Sequence, residues 1–301
     1  MLILKSKLIV TVISILVITV FVGCEKDLLN SNNPNTLQEV QDLTNRYFEN
    51  NNTKAKPKGK IWAAVCRIAG KDISGAVTGA GVGAAAGAAI GGAAGGVGAL
   101  PGATTGAIVG GVAGGVGASL FQLGEEIGGG KGSKQLISYS SNPYDCIGDI
   151  HADILNIAFS NSTVFFENNS LINDSVFIYS CSMLTKKGLL SDSLTYYEIN
   201  DINNTIDYVE NYYDNEDLES ILIRLHNDKL ISSDILTLLK EYFSVIYIMD
   251  DYSVFYDYSI EFEDIIINAS DINDIDKIII LLTASTCRYD IDFWIDNINN
   301  I

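Results

Sequence analysis

Ile73–Gly124 reads ISGAVTGAGVGAAAGAAIGGAAGGVGALPGATTGAIVGGVAGGVGASLFQLG and contains no charged residue. Gly75, Gly79, Gly83, Gly87, Gly91 and Gly95 recur at every fourth position. Gly102, Gly106, Gly110 and Gly114 resume the pattern after Pro101. Residues four apart on a helix stand one above the other, so each series forms a smooth strip that another backbone can approach closely. Pro and Gly in the uncharged sequence ALPGATT, residues 99–105, are good turn residues between the two series. The stretch therefore predicts a glycine-zipper helical hairpin over residues 61–127, with these ten glycines as helix-packing positions.

Helix propensity says what such a hairpin needs. Ten glycines fall between Gly75 and Gly98. Each costs about 1 kcal/mol relative to alanine in an exposed helix, roughly 10 kcal/mol in all. An isolated helix of this composition should not form in water. Tight packing must offset the cost, or a bilayer that forces backbone groups to bond internally. Both arms exceed the roughly 20 residues that cross a hydrocarbon core. Large apolar residues are sparse in the first arm, however: Ile73, Val77, Val82, Ile90 and Val97. It would insert poorly without the second arm. Three readings stand at this point: a hairpin in or against a membrane, a soluble hairpin packed on the C-terminal domain, or a flexible low-complexity linker.

Charge frames the hairpin. Lys54, Lys56, Lys58, Lys60, Arg67 and Lys71 precede the ladder, and Lys131 and Lys134 follow it. A hairpin that enters a bilayer tip first carries no charge across, while its basic flanks stay with anionic head groups, each worth about 1 kcal/mol. The chain as a whole carries a formal charge of −18. Residues 142–301 hold 29 acidic and 7 basic side chains, a net −22. That surplus argues against a nucleic-acid partner, because phosphate binding needs Lys and Arg.

The N-terminus reads as a targeting segment, residues 1–23. Lys5 and Lys7 precede the apolar run Leu8–Val22, and Phe21-Val22-Gly23-Cys24 follows. This arrangement resembles the lipobox of bacterial lipoproteins. The resemblance implies cleavage before Cys24, lipidation at Cys24 and a place in the cell envelope at the outer membrane. Glu25-Lys26-Asp27 resembles the charged signal that sends Bacteroidetes-type lipoproteins to the cell surface. The glycine block resembles the zipper segments of outer-membrane lipoproteins and surface antigens, and also those of some membrane-active bacteriocins. Residues 24–60 are Asn-rich and read as a polar tether, interrupted by a short helix around Leu37–Phe48. Residues 128–141 read as a linker.

Residues 142–301 are long enough for one core and show apolar residues mostly at helical spacing. They predict an acidic α-helical bundle of about six helices, so the fold class is mainly α. Ser233-Asp234 and Asp271-Ile272-Asn273 look like helix starts. Cys66, Cys146, Cys181 and Cys287 are widely spaced and read as free thiols.

The most motif-like segment is Asn142–His151, NPYDCIGDIH. Asn142 suits an N-cap, Pro143 the first helical position and Asp145 the positive helix end. Asp145, Asp149 and Asp153 lie four apart, most simply as a solvated stripe. The sharper reading adds His151 and makes a cation site. This segment, with Ser285–Trp294, loosely resembles uncharacterised Bacteroidetes lipoproteins, which supplies no activity. With two histidines and no GxSxG motif, nucleophilic catalysis has no support, and the glycines lack the GKS or GKT of a phosphate loop. His226 reads as a core-edge histidine, and the tyrosines at 242, 247, 252, 256 and 258 as core and surface aromatics. No cofactor, metal or catalytic residue is expected. The expected partners are membrane lipid and a second copy of the chain through the zipper. The expected role is that of a lipid-anchored envelope protein; the alternative is a membrane-active, pore-forming or bacteriocin-like effector, and an enzyme is the weakest reading.

Overall fold

The computed structural model describes residues 35–52, 60–93, 98–126, 138–139, 141–167, 170–190, 218–246, 249 and 251–298. Asn35–Ile301 forms one compact unit. The signal segment, Cys24, Gly95 and Tyr247 lie outside the described residues.

The described chain is mainly α-helical. Its helices are α1 (Thr36–Asn52), α2 (Lys60–Ala93), α3 (Ala99–Glu126), α4 (Asp145–Ser160), α5 (Asn173–Lys186), α6 (Leu218–Asn227), α7 (Ser233–Ile246), α8 (Tyr252–Asn268) and α9 (Asp274–Ile298). Phe166–Glu167 and Ser170–Leu171 pair as a two-stranded antiparallel ribbon. The C-terminal segment thus carries six α-helices among the described residues, as its periodicity predicts.

The hairpin and the acidic segment share one hydrophobic core. α2 and α3 pack along their lengths, and both lie against α9; α3 also contacts α4 and α5. The middle of α9 is the axis of the fold, with every residue from Ile278 to Trp294 buried. A helix apolar on all sides is what a central position requires. Ile278–Leu282, Ala284, Cys287, Ile291, Phe293 and Trp294 supply that character.

Three local expectations change. The turn of the hairpin falls before residue 99, and Pro101 sits in the first turn of α3. Proline fits there because the first helical N–H groups have no partner within the helix. The segment read as a tether contains α1, which is docked: Val40 and Leu43 are buried, and Thr44 Oγ1 lies 3.1 Å from the Tyr258 hydroxyl. Asn35 caps α1, its Oδ1 accepting from the Leu37 N–H at 2.6 Å. The helix expected around Leu37–Phe48 is present and longer; its docking was not legible, because only one narrow stripe of it is apolar. One cap shifts and one holds: Ser232 rather than Ser233 caps α7, accepting from the Ile235 N–H, while Asn273, within the expected segment, caps α9 through the Asp276 N–H.

Candidate functional site

The glycine seam comes first, because it fixes everything around it. Gly75 faces Gly114, Gly79 faces Gly110, Gly83 faces Gly106 and Gly87 faces Gly102. A methyl group built on Gly79 would stand 1.9 Å from the Gly110 carbonyl oxygen, and one on Gly83 2.0 Å from that of Gly106. No side chain fits at such distances; the backbones themselves are in contact. Gly91 pairs with Gly98, which extends the second series one four-residue step back from Gly102. A repeat of four runs ahead of the 3.6-residue turn, so contact kept through successive pairs requires the arms to coil around one another.

The adjacent glycines serve other neighbours. A methyl on Gly81 would meet the Leu230 carbonyl oxygen at 2.5 Å, on Gly111 the Leu282 side chain at 2.8 Å, and on Gly115 the His151 ring at 3.0 Å. The Gly110-Gly111 and Gly114-Gly115 doublets therefore turn one glycine to the opposite arm and one to α9 or α4. Those doublets were the readable signal for this second row.

Burial divides the hairpin. Asp72–Ala80 and Ala107–Leu120 are buried. Towards the far end Ala85, Ala89 and Pro101 are exposed, Leu100 is 53% exposed, and Val82, Ala86, Ala88, Thr104 and Thr105 are half-buried. Ala99–Leu120 is long and apolar enough to cross a membrane by length and composition, yet most of it is enclosed by protein. Beside the exposed end, Leu100 and Thr104 line a groove of about 350 Å³ with Pro143, Tyr144, Ile278 and Leu281.

Two polar networks cross the core next to the base of the hairpin. In the first, the fully buried Arg288 donates from Nε to Glu263 Oε1 at 2.7 Å and from Nη2 to Asp145 Oδ1 at 2.5 Å. Asn142 Nδ2 donates to Glu263 Oε2 at 2.7 Å, and the Tyr289 hydroxyl donates to Asp145 Oδ2 at 3.2 Å. Burial would pull the Arg288 pKa down, but Glu263 and Asp145 beside it hold it above its usual value. One cation thus serves two carboxylates, each of which also accepts a further hydrogen bond, from Asn142 or from Tyr289.

This corrects the reading of Asn142–His151. Asn142 forms a turn, accepting from the Tyr144 N–H, and reaches Glu263 instead of capping α4. Asp145 is buried against Arg288, while Asp149 pairs with Lys187 at 2.9 Å, so the carboxylates do not form a solvated stripe. His151 is two residues from Asp149, about 200° round the helix, and faces away from it.

The second network is formed by Asp72 of α2, His151 of α4 and Asp290 of α9, all fully buried. One ligand atom from each lies within 4.8 Å of the others. His151 Nε2 is 2.9 Å from Ser119 Oγ and 3.3 Å from Asp290 Oδ1. Trp294 Nε1 donates to Asp72 Oδ2 at 2.7 Å. Burial lifts the Asp72 pKa to about 7, against hydrogen bonds from Trp294 and Ser119. Burial pushes His151 down to about 3, and burial with the neighbouring Asp72 pushes Asp290 well up. Burial thus works against charge on both partners of the His151–Asp290 contact.

Sequence reasoning singled out His151 but not Asp72, Asp290, Arg288 or Glu263. Asp72 had a signal, as the last charge before the uncharged block. So did Arg288 and Asp290, which sit in a run whose apolar residues cover every phase of the helix. The remaining candidates stay in bland roles: His226 is half-buried with Nδ1 3.3 Å from the Ile231 carbonyl, Tyr242 and Tyr258 are core residues, and the four described cysteines are thiols, with Cys66 Sγ donating to the Ile246 carbonyl.

These features define a helical bundle built around a glycine-packed hairpin. No family model, no curated protein and no solved structure matches the chain.

Proposed function

We propose that this is a lipid-anchored cell-envelope protein, tethered through Cys24, that presents the uncharged end of its glycine hairpin to a membrane. The observation that carries this is the division of the hairpin: a base locked in the bundle and a far end that is exposed and uncharged. Val82–Ala93 is 12 residues, or about 18 Å of helix at 1.5 Å per residue. One leaflet's share of a roughly 30 Å hydrocarbon core is about 15 Å. Part of this length lies beside the bundle, where Leu100 and Thr104 share a groove with Tyr144 and Ile278, so in the closed form the free end enters one leaflet at most and does not cross. The lipobox-like Cys24 supplies a separate anchor, and the acidic helices favour solvent over an anionic leaflet.

The experiment is flotation of the full mature chain carrying Cys24→Ala with vesicles of neutral phosphatidylcholine and of phosphatidylglycerol mixtures. Recruitment that drops severalfold on Leu100→Asp, with unchanged thermal stability, is expected. Absence of recruitment before the Leu100 change would overturn the reading.

A second reading, release of the whole hairpin as a membrane-active effector, is favoured by one feature. The seam is made of backbone contacts, which persist in lipid because they do not depend on excluding water. It requires dye leakage from vesicles, and leakage that survives a disulfide locking α2 to α9 would refute it. Self-association through the zipper fits poorly with the closed form, where each described ladder glycine already faces its partner arm.

A further inference from the structure

We propose that Asp72, His151 and Asp290 are the protein ligands of a divalent first-row transition metal, of the zinc or manganese class, held at the base of the hairpin. The argument is independent of any role at the membrane. Two carboxylates and an imidazole brought together from three helices are a donor set for such ions. A +2 ion would balance the two carboxylates with no further charge.

The contrast within one core is what points to a ligand. A short distance along α9, Arg288 places a cation between Glu263 and Asp145 and donates hydrogen bonds to both. At Asp290 no such partner stands. Both Asp290 oxygens and Asp72 Oδ1 are buried without a hydrogen bond, and Asp290 and His151 are fully inaccessible; His151 Nδ1, also without one, lies on the Gly115 side of the ring, away from Asp290. Native cores rarely leave several polar atoms of one cluster unmatched, since each costs about 1–3 kcal/mol. No Lys or Arg pairs with any of the three among the described residues.

The surroundings resemble a supporting shell. Trp294 Nε1 holds Asp72 by Oδ2 at 2.7 Å and leaves Oδ1 unengaged. Hydrogen bonds of this kind orient ligand carboxylates. His151 turns Nε2 towards Asp290 and Ser119. Its ring occupies the space left by Gly115, where a methyl group would fall 3.0 Å from Nδ1. Ser119 Oγ stands 3.0 Å from the Gly115 carbonyl oxygen and 2.9 Å from His151 Nε2, beside Asp72, so its one hydroxyl proton is shared among these neighbours. A metal here would tie α2, α4 and α9 together beside α3, clamping the hairpin base to the central helix.

The test uses the full chain, unfolded in chelator and refolded with either Zn²⁺, Mn²⁺ or EDTA. Elemental analysis after gel filtration should find about one metal per chain, and saturating metal should raise Tm by roughly 5–10 °C over the EDTA sample. Co²⁺ should give visible ligand-field absorption that Asp290→Asn and His151→Gln abolish. Refolding in EDTA to the same Tm as with either metal, with no metal retained, would overturn the proposal and leave a cluster closed by protons. Metal retained equally by wild type and by an Asp72→Asn, Asp290→Asn double variant would also overturn it, by placing the ion elsewhere. Because the decisive comparison is made on the unaltered chain, misfolding of a variant does not blunt it.

Discussion

Alanine at Gly79 should destabilise the bundle although alanine is the better helix former. The added methyl would lie 1.9 Å from the Gly110 carbonyl oxygen and 2.7 Å from its carbon. An ordinary contact to that oxygen is close to the sum of van der Waals radii, so the arms must separate by more than an ångström. The obstacle is backbone on both sides, and no rotamer change relieves it. Overpacking of this kind costs about 3 kcal/mol or more, against about 1 kcal/mol gained from helix propensity. The net loss is about 2 kcal/mol, which for a domain of this size lowers Tm by roughly 4–8 °C. Gly92 is the internal control. It lies in the same helix with nothing within 4 Å of a built methyl group, so Gly92→Ala should leave Tm unchanged or raise it. A Gly79→Ala, Gly110→Ala double variant should cost less than the two single losses added, since the first methyl already parts the arms. Differential scanning calorimetry reads all of these. Equal Tm changes at Gly79 and Gly92, or full additivity at 79 and 110, would refute backbone contact across the seam.

Further consequences are expected from the core. Arg288→Ala should cost about 3–5 kcal/mol in urea unfolding, because it leaves Glu263 and Asp145 buried without their cation. Adding Glu263→Gln to an Arg288→Met variant should recover a large part of that loss. Lys187→Ala should change stability by under about 1 kcal/mol, since its pair with Asp149 is partly exposed and screened. Gly148→Ala should destabilise more than alanine at an exposed position, because the methyl meets the Ser285 carbonyl oxygen at 2.6 Å and would push α4 off α9; hydrogen exchange in α4 should report the separation.

Much of the architecture was legible in local pattern. The four-residue glycine repeat and the lack of charge across Ile73–Gly124 are properties of the chain itself, and they predict paired helices because only glycine lets two backbones touch. The periodic apolar residues of the acidic segment predicted helices for the same local reason. Boundaries were less legible. A proline in ALPGATT reads equally as a turn or as the first turn of a helix, and only the pairing of Gly91 with Gly98 places the reversal ahead of it.

What the tertiary structure alone decided is which faces meet. The sequence left open whether the hairpin stood apart or packed on the acidic helices; the structure makes its base part of the same core as α9. It also turned Asp145 inward to Arg288 and brought Asp72, His151 and Asp290 to within 4.8 Å. No spacing rule could anticipate that cluster. Its members come from three helices far apart in the chain, and their convergence depends on Gly115 leaving room for an imidazole and on α9 being buried on every side. Local sequence fixes what a segment can become. The contacts that make a polar residue costly, paired or poised for a ligand exist only once the helices have packed.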